Sequence, residues 1–222
     1  MILNHAIGVR FPVAVPHMDI SELKQSILPK TFYLQNTFIC LKDSLGKILV
    51  HEEGKNTTAG RIVEVEAYIG GEDKGSHTYL NKKTPRTTIQ FEEGGYAYIH
   101  TVHTHHLFTF VTQPKDIPSV VLIRAVEPIY GIEIMKERRG MEDIKSLTNG
   151  PGKLCKAMNI TKELYGQDLT SPDFKLYIVD DGFQVNDKDI VKTARVGIDY
   201  AEEYKDVPWR YYIKDNPFIS RK

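Results

Sequence analysis

Two glutamates and a tyrosine alternate along one segment of the chain and could perform acid–base chemistry. Residues 60–70 read Gly-Arg-Ile-Val-Glu-Val-Glu-Ala-Tyr-Ile-Gly, and their alternation predicts a strand. The alternation alone does not indicate a functional site, because any half-buried strand with a solvated polar face shows it. Glu64, Glu66 and Tyr68 then share one face. The two carboxylates would lie roughly 6–7 Å apart, close enough to occupy one pocket without sharing a proton. The opposite face is predicted to be apolar core and carries Val63, Val65, Ala67 and Ile69.

Two further features could contact a substrate. Arg124 is the only charge within residues 120–126, and a charge in such an apolar strand needs a partner, as a buried ion pair or in a functional site. The Gly150-Pro151-Gly152 turn would expose backbone N–H groups at the start of a helix, where a phosphate can dock. Lys153 would add a positive charge to that site. A Gly-Pro-Gly turn also commonly precedes a helix without binding any ligand.

A cluster of histidines allows a different chemistry. His100, His103, His105 and His106 lie close together, and His103 and His105 would share a strand face. Catalytic zinc sites commonly use three protein ligands supported by hydrogen-bond partners of their imidazoles. No further His or Cys stands at a suitable spacing, so a metal site is the less favoured interpretation.

The elements that position these residues follow from hydrophobic periodicity and turn residues. Strands are predicted at residues 47–50, 58–69, 96–102, 107–112 and 120–126, and the polar turn 51–56 joins the first two into a hairpin. Helices are predicted at residues 20–28, 37–41, 129–139 and 153–158, and a loop at 79–86. The predicted fold class is α+β, with helices around an antiparallel sheet in a single domain.

Length and composition limit the number of domains and the cellular setting that the chain suits. A chain of 222 residues suits one domain with a substantial core. The two cysteines, Cys40 and Cys155, are too few for a disulfide framework, so a reducing, cytoplasmic setting is expected. Residues 1–18 are moderately apolar but are interrupted by an arginine and two prolines, which argues against a signal peptide or a membrane span.

The charges balance, with 29 Lys plus Arg and 29 Asp plus Glu, so the molecule as a whole does not attract a polyanion. The distribution of charge matters more than its sum. Basic clusters occur at residues 82–86, 136–139, 153–156 and 192–195. Each suits a solvated surface, but several on one face would contact phosphates and make binding salt-dependent.

Five ordered segments resemble one enzyme family. They are residues 60–70 with His77 following, 83–86 (Lys-Thr-Pro-Arg), 122–128 (Leu-Ile-Arg-Ala-Val-Glu-Pro), 150–155 (Gly-Pro-Gly-Lys-Leu-Cys) and 194–198 (Ala-Arg-Val-Gly-Ile). In order and spacing they resemble the alkyladenine (3-methyladenine) DNA glycosylases of the mammalian type. The likeness covers about residues 32–222, so we expect a glycosylase domain at 31–222 and an N-terminal extension at 1–30.

The resemblance implies hydrolysis of the N-glycosidic bond of a damaged purine that is flipped out of duplex DNA. Glu66 matches the residue that activates water, and Arg124 matches a residue near that water and the nucleotide's phosphate. Tyr68 matches the residue that stacks on the base, and His77 one that contacts its edge. The role of Glu64 in the family is less defined, and we expect it to support the site. The expected substrate is 3-methyladenine, with 7-methylguanine and hypoxanthine as further candidates.

The chain departs from the family in the strand that follows. Where mammalian members have tyrosines that close the base pocket and wedge into the duplex, this chain has His100 and His103. We therefore expect His100 in the base pocket, and His103 or Val102 in the gap left by the flipped nucleotide. The family often has an asparagine that disfavours the guanine amino group, whereas the candidates here are Thr109 and Phe110, so exclusion of alkylated guanine should be weaker.

The resemblance also implies the architecture of the C-terminal domain of methionyl-tRNA formyltransferases, a curved antiparallel sheet with surrounding helices. No lysine matches a nucleophile, so we expect an abasic product without strand cleavage. No cofactor or metal is expected. The expected partner is double-stranded DNA containing damaged purines. The protein is expected to be a monomer in the bacterial cytoplasm and not to associate with a membrane. Two alternatives stay open: a non-catalytic nucleic-acid-binding domain, and a metal-dependent hydrolase using the histidines of residues 100–106.

Overall fold

The computed structural model describes residues 20–222, and most of the predicted N-terminal extension lies outside these residues. The helices are α1 (Ile20–Leu23), α2 (Lys30–Tyr33), α3 (Thr37–Ser44), α4 (Ile132–Arg139) and α5 (Pro151–Ala157). The strands are β1 (Ile48–His51), β2 (Thr58–Tyr68), β3 (Ala97–Val102), β4 (His105–Thr112), β5 (Ser119–Tyr130), β6 (Leu176–Val179), β7 (Ile190–Thr193) and β8 (Arg210–Ile213). In residues 20–222, no helix has the length and apolar character needed to cross a bilayer.

The eight strands of the described chain form one antiparallel sheet in which β2 is central. The order is β3-β4-β5-β2-β1-β6, with β8 paired to β2 and β7 paired to β8. Along one edge β2 pairs with β5. Along the other edge its first residues pair with β1 and residues 64–66 pair with β8. The stretch that carries Glu64 and Glu66 is therefore hydrogen-bonded to a strand along both of its edges. An antiparallel sheet with separate helices confirms the predicted α+β class.

One face of the sheet packs on helices to form the main core. Val65 and Ala67 of β2 and Ile123 of β5 pack in one cluster with Leu41 of α3 and Leu154 of α5. Apolar side chains at alternate positions bury their area on this face. The other face of β2 to β5 therefore remains available for a site.

Val63 does not follow the predicted alternation. It is the extra residue of a bulge in β2, because its two neighbours pair with adjacent residues of β5. A bulge shifts the faces to which side chains point. Val63 consequently packs against Phe218 and Ile219 instead of joining Val65 and Ala67, so the prediction of one continuous apolar face is wrong at this position.

The predicted strands correspond to β1 to β5, with shifted ends. β4 begins at His105 because only His103 and Thr104 form the turn after β3, and both have positive φ (45° and 72°), as in type I′ hairpins. β5 continues to Tyr130, and the helix predicted at 129–139 begins at Ile132. The four-residue strands β6, β7 and β8 were not predicted.

Candidate active site

A cavity of about 690 Å³ opens on the face of the sheet opposite the main core. The sheet contributes Tyr68, Tyr98, His100, Thr109, Leu122 and Arg124 to its lining. Other contributions come from two loops, the β3–β4 turn and the start of α5, including His77, Val102, His103, Gly152 and Val196. The structure thus brings the predicted site residues Tyr68, His77, His100, Val102, His103 and Arg124 to one cavity.

Glu66 is fully buried next to this cavity and is held by three donors. The Tyr68 hydroxyl and Arg124 Nη1 donate to its Oε2 at 2.9 Å and 3.2 Å, and the Val196 backbone N–H donates to Oε1 at 2.8 Å. A carboxylate has about four acceptor positions. Among donors from residues 20–222, Glu66 uses three of these positions, which leaves acceptor capacity on Oε1 for a water.

Glu64 has a different environment on the same strand. Its Oε1 accepts from Arg124 Nε at 3.0 Å, Arg210 Nη1 at 2.7 Å and the Ser220 hydroxyl at 2.8 Å. Its Oε2 accepts from the Ser220 backbone N–H at 2.5 Å. These four donors use about all of the acceptor capacity of a carboxylate. Glu64 therefore balances two arginines and has little capacity left to act as a base.

Arg124 bridges the two glutamates from a second bulge. Glu64 pairs with Ala125 and Val65 pairs with Ile123, so Arg124 is the extra residue of β5. Desolvation opposes its charge, but the charges of Glu66 and then Glu64 outweigh it and raise the pKa of Arg124 above its ordinary value. Arg124 therefore stays positive and keeps both carboxylates compensated.

A buried ion pair supports Tyr68 from behind. Arg195 donates to both carboxylate oxygens of Asp73, at 2.6 Å and 2.8 Å, and to the Ala67 carbonyl at 2.9 Å. Its guanidinium lies 4.6 Å from the ring centroid of Tyr68 and 5.1 Å from that of Trp209, as in cation–π contacts. Because Arg195 precedes Val196, the same pair also positions the N–H that binds Glu66.

Tyr68 is kept in its neutral form. Burial, followed by the negative charge of Glu66, raises the pKa of the Tyr68 hydroxyl well above its ordinary value. The hydroxyl therefore retains the proton that it donates to Glu66, while the ring borders the cavity.

Two histidines and a tyrosine form an aromatic group on the cavity wall. His77 Nδ1 shares a hydrogen bond of 2.8 Å with the Tyr98 hydroxyl. His100 stacks on Tyr98 with ring centroids 5.1 Å apart and meets the His77 ring edge-on at 4.8 Å. Burial first, and the charge of Arg86 after it, lower the pKa of His77 to about 4. Burial, then His77 and Arg86, lower that of His100 to about 3, so both rings are neutral at pH 7.

These shifts predict a pH dependence of folding stability. A histidine whose pKa is lower in the folded than in the unfolded state contributes stability above the unfolded pKa of about 6.5, and loses it as the pH falls toward the folded value. We expect His100→Phe, which keeps an aromatic ring, to remove about 2 kcal/mol of the stability lost between pH 7 and 5. Urea unfolding at both pH values measures this, and equal losses in the two proteins would contradict it.

The β3–β4 turn projects Val102 and His103 at the cavity mouth. Both side chains are exposed, and His103 lies in the turn itself. The expectation that His103 and His105 share a strand face is therefore wrong. His106 pairs with Thr101, and its Nδ1 lies 3.2 Å from the Thr101 hydroxyl, on the face opposite His100. In residues 20–222 no three His, Cys, Asp or Glu side chains are arranged to hold a metal ion.

A smaller cavity of about 280 Å³ adjoins the first through His105, Pro151 and Gly152, and is also lined by Arg139, Gly150 and Lys153. Pro151 and Gly152 are the first residues of α5, not a turn before it. A Cβ on Gly152 would lie 2.9 Å from the Cβ of His105, so only glycine allows the hairpin this close approach. Lys153 Nζ donates to the Asn149 side chain at 2.8 Å.

Sequence reasoning missed several residues of the site. The basic cluster at residues 192–195 predicts a surface position for Arg195, but its side chain is fully buried against Asp73. Ser220 had no recognisable signal, because it reaches Glu64 across more than 100 residues of sequence. The signal that could have singled out Arg195 is its position within the segment Ala194-Arg-Val-Gly-Ile198, quoted above for the resemblance.

The chain is similar in sequence to one family of known proteins. A profile of the methylpurine-DNA glycosylase family matches residues 31–217. A candidate 3-methyladenine DNA glycosylase of Clostridium novyi is 47% identical over 204 residues, covering 88% of this chain and 98% of the relative. One from Alkaliphilus oremlandii is 49% identical over 204 residues, with 88% and 99% coverage. Another, from Bacillus licheniformis, is 43% identical over 194 residues, with 87% and 96% coverage.

The family match covers the strand that carries Glu66, the loop that carries His77 and the strand that carries Arg124. The chain belongs to the methylpurine-DNA glycosylase family of DNA-repair enzymes.

Proposed function

We propose that the protein removes 3-methyladenine from duplex DNA by hydrolysis, with Glu66 as the base that activates water. The observation that carries the proposal is the environment of Glu66. It is buried beside the cavity, its charge is compensated by Arg124, and Oε1 has acceptor capacity left after the Val196 N–H. A carboxylate in this setting can orient and deprotonate a water and stabilise the positive charge that develops on the sugar.

The flipped base would occupy the 690 Å³ cavity, whose volume lies within the range of about 300–1,000 Å³ typical of ligand sites. Tyr68 would stack on the base, and neutral His77 and His100 would enclose it. In the part of the chain that the structure describes, Nδ1 of His100 is buried without a hydrogen-bond partner. A polar atom of the bound base would satisfy it if the His100 ring turned to present this nitrogen to the cavity.

DNA would cross the cavity mouth. Val102 and His103, exposed at the β3–β4 turn, would fill the space left by the flipped nucleotide. The phosphate backbone would lie in the adjoining cavity at Gly150, Gly152 and Lys153. Flipping costs a few kcal/mol, and least at a damaged base, so it contributes to selection of the lesion.

The expected product is an abasic site in an uncut strand, because no lysine of residues 20–222 lines the cavity. The experiment incubates the protein with methylated duplex DNA, once with sodium borohydride and once without. Free methylated base, intact abasic strands and no covalent adduct support the proposal. A trapped adduct would instead require an amine nucleophile and would refute it.

Discrimination against guanine is predicted to be weak. Of the two residues considered for the pocket floor, Thr109 lines the cavity, whereas Phe110 lies in the main core. The Thr109 hydroxyl donates to the Tyr98 carbonyl at 2.6 Å, so toward the cavity it can accept a hydrogen bond. We expect excision of 3-methylguanine as well as 3-methyladenine, and selective loss of guanine excision by about 10–200-fold in Thr109→Asn. Matched oligonucleotides test this, and outright rejection of guanine by the wild type would contradict it.

A further inference from the structure

Residues 216–221, here called the 216–221 segment, pack against both bulges of the site. Phe218 is buried in one cluster with Val63, the extra residue of β2. Ser220 lies at the other bulge, within hydrogen-bond distance of Arg124, the extra residue of β5. A bulge changes the direction in which side chains point. The 216–221 segment therefore lies where the sheet redirects side chains of the site.

Arg210 connects the 216–221 segment to the rest of the site. Its Nη1 donates to the Arg221 carbonyl at 3.1 Å and to Glu64 Oε1 at 2.7 Å. Its Nε donates to the Ala194 carbonyl at 3.0 Å. Three distant parts of the chain thus meet at one guanidinium, which holds the segment in place next to Glu64.

Ser220 forms three hydrogen bonds to the charged groups of the site. Its backbone N–H and its hydroxyl donate to Oε2 and Oε1 of Glu64, at 2.5 Å and 2.8 Å. The same hydroxyl accepts from Arg124 Nη2 at 3.2 Å. A hydroxyl has one proton to donate and two acceptor positions, so both of its bonds can form together. The Ser220 hydroxyl therefore links Glu64 to Arg124.

Arg124 is held at all three nitrogens of its guanidinium. Nε donates to Glu64, Nη1 to Glu66 and Nη2 to Ser220. Because a guanidinium is planar, three separate acceptors fix both its position and the orientation of its plane. Without the Ser220 hydroxyl, the plane could rotate about the line through the two remaining contacts, and a buried N–H would lose its acceptor. The bond from Nη1 to Glu66 would then be misaligned.

We propose that Ser220 is a positioning residue for base release, which acts by holding Arg124 in the orientation that binds Glu66. Ser220 is not among the residues of the described chain that line the cavity, so it acts through Arg124 and not by contact with the base. The family match ends at residue 217, three residues before Ser220. The inference rests on the proposed function, in which Glu66 activates the water.

The kinetic test compares Ser220→Ala with Ser220→Thr. Ser220→Ala removes the hydroxyl and keeps the backbone N–H on Glu64. We expect single-turnover release of 3-methyladenine to slow about tenfold, the effect of one hydrogen bond to a charged group, while affinity for a duplex with one abasic site stays unchanged. Ser220→Thr keeps the hydroxyl, and partial exposure of Ser220 leaves room for the added methyl group, so the wild-type rate should return.

Ser44→Ala is the matched control. The Ser44 hydroxyl is also buried and donates to the Leu41 carbonyl at 2.9 Å, but it lies in α3 on the core face of the sheet. Its loss should leave the rate unchanged. A wild-type rate for Ser220→Ala, equal slowing in Ser220→Thr, or equal slowing in Ser44→Ala would each overturn the proposal.

A second readout needs no catalysis and follows Arg124 itself. The buried Arg124 Nε–H, bonded to Glu64, should exchange slowly with solvent. It should give a nitrogen-15 NMR signal that is assigned by its absence in Arg124→Lys. Faster exchange in Ser220→Ala, but not in Ser44→Ala, supports the proposal, and unchanged exchange would overturn it.

The two readouts separate this proposal from the proposed function. If the wild type released no methylated base but exchange at Arg124 accelerated in Ser220→Ala, the proposed reaction would fail and the hold of Ser220 on Arg124 would stand. If the wild type released the base and Ser220→Ala changed neither exchange nor rate, the reaction would stand and the positioning role would fail.

Discussion

Replacing Glu66 by glutamine is expected to slow base release by about 10²–10⁴-fold under single-turnover conditions, with DNA affinity changed little. Glutamine keeps the size of the side chain and can still accept from Tyr68 and Arg124, but it cannot take a proton from water. Single-turnover rates with saturating protein measure the chemical step apart from binding. The folded state should survive, because Arg124 keeps its contact with Glu64.

Glu64→Gln is the matched variant on the same strand, and the opposite pattern is expected. Glu64 compensates Arg124 and Arg210 within the protein, so its loss leaves two buried cations with one carboxylate fewer. Breaking a buried pair in this way costs about 3–5 kcal/mol of folding free energy. Glu64→Gln should therefore lose more stability and less activity than Glu66→Gln. If Glu64→Gln were the slower enzyme and the more stable protein, the assigned roles would be reversed.

The second large effect is expected for Arg195→Met. This change removes both bonds to Asp73, which is fully buried and would be left unpaired. A loss of about 3–5 kcal/mol of stability follows. Tyr68 would lose the cation behind its ring, and the Val196 N–H would lose its position on Glu66, so we expect about 10²-fold slower base release.

A double variant separates these two consequences. In Asp73→Asn with Arg195→Met the buried negative charge is gone, so stability should recover in part. Activity should not recover, because neither the cation nor the position of Val196 is restored. Chemical unfolding and single-turnover kinetics measure the two effects, and Trp209, the only tryptophan in the chain, reports on the environment of Arg195 by its emission. Full recovery of activity in the double variant would show that Arg195 acts through stability alone.

The strand at the centre of the site was predictable because its chemistry is local in sequence. Alternation over residues 60–70 places Glu64, Glu66 and Tyr68 on one face, and all three side chains are linked in the structure through Glu66 and Arg124. Arg124 was recognisable because a charge inside an apolar strand requires a partner. The role of a residue can therefore be predicted from sequence where its neighbours in the chain determine its environment.

The rest of the site depends on contacts between distant segments. Asp73 and Arg195 are 122 residues apart and Ser220 lies 156 residues from Glu64, and no periodicity connects such positions. The strands β6, β7 and β8 have only four residues each, and their conformation is decided by pairing of β6 with β1, β8 with β2 and β7 with β8. Val63 shows the same limit, since strict alternation could not indicate a bulge.

The most direct test of the role of Glu66 measures release of free 3-methyladenine from a duplex carrying a single lesion, by the wild type and by Glu66→Gln, with a metal chelator present. We expect release by the wild type with an intact abasic strand, and at most about one hundredth of the wild-type rate for Glu66→Gln. Equal rates for the two proteins, or release by the wild type only when a metal ion is added, would contradict the central claim that Glu66 activates the water.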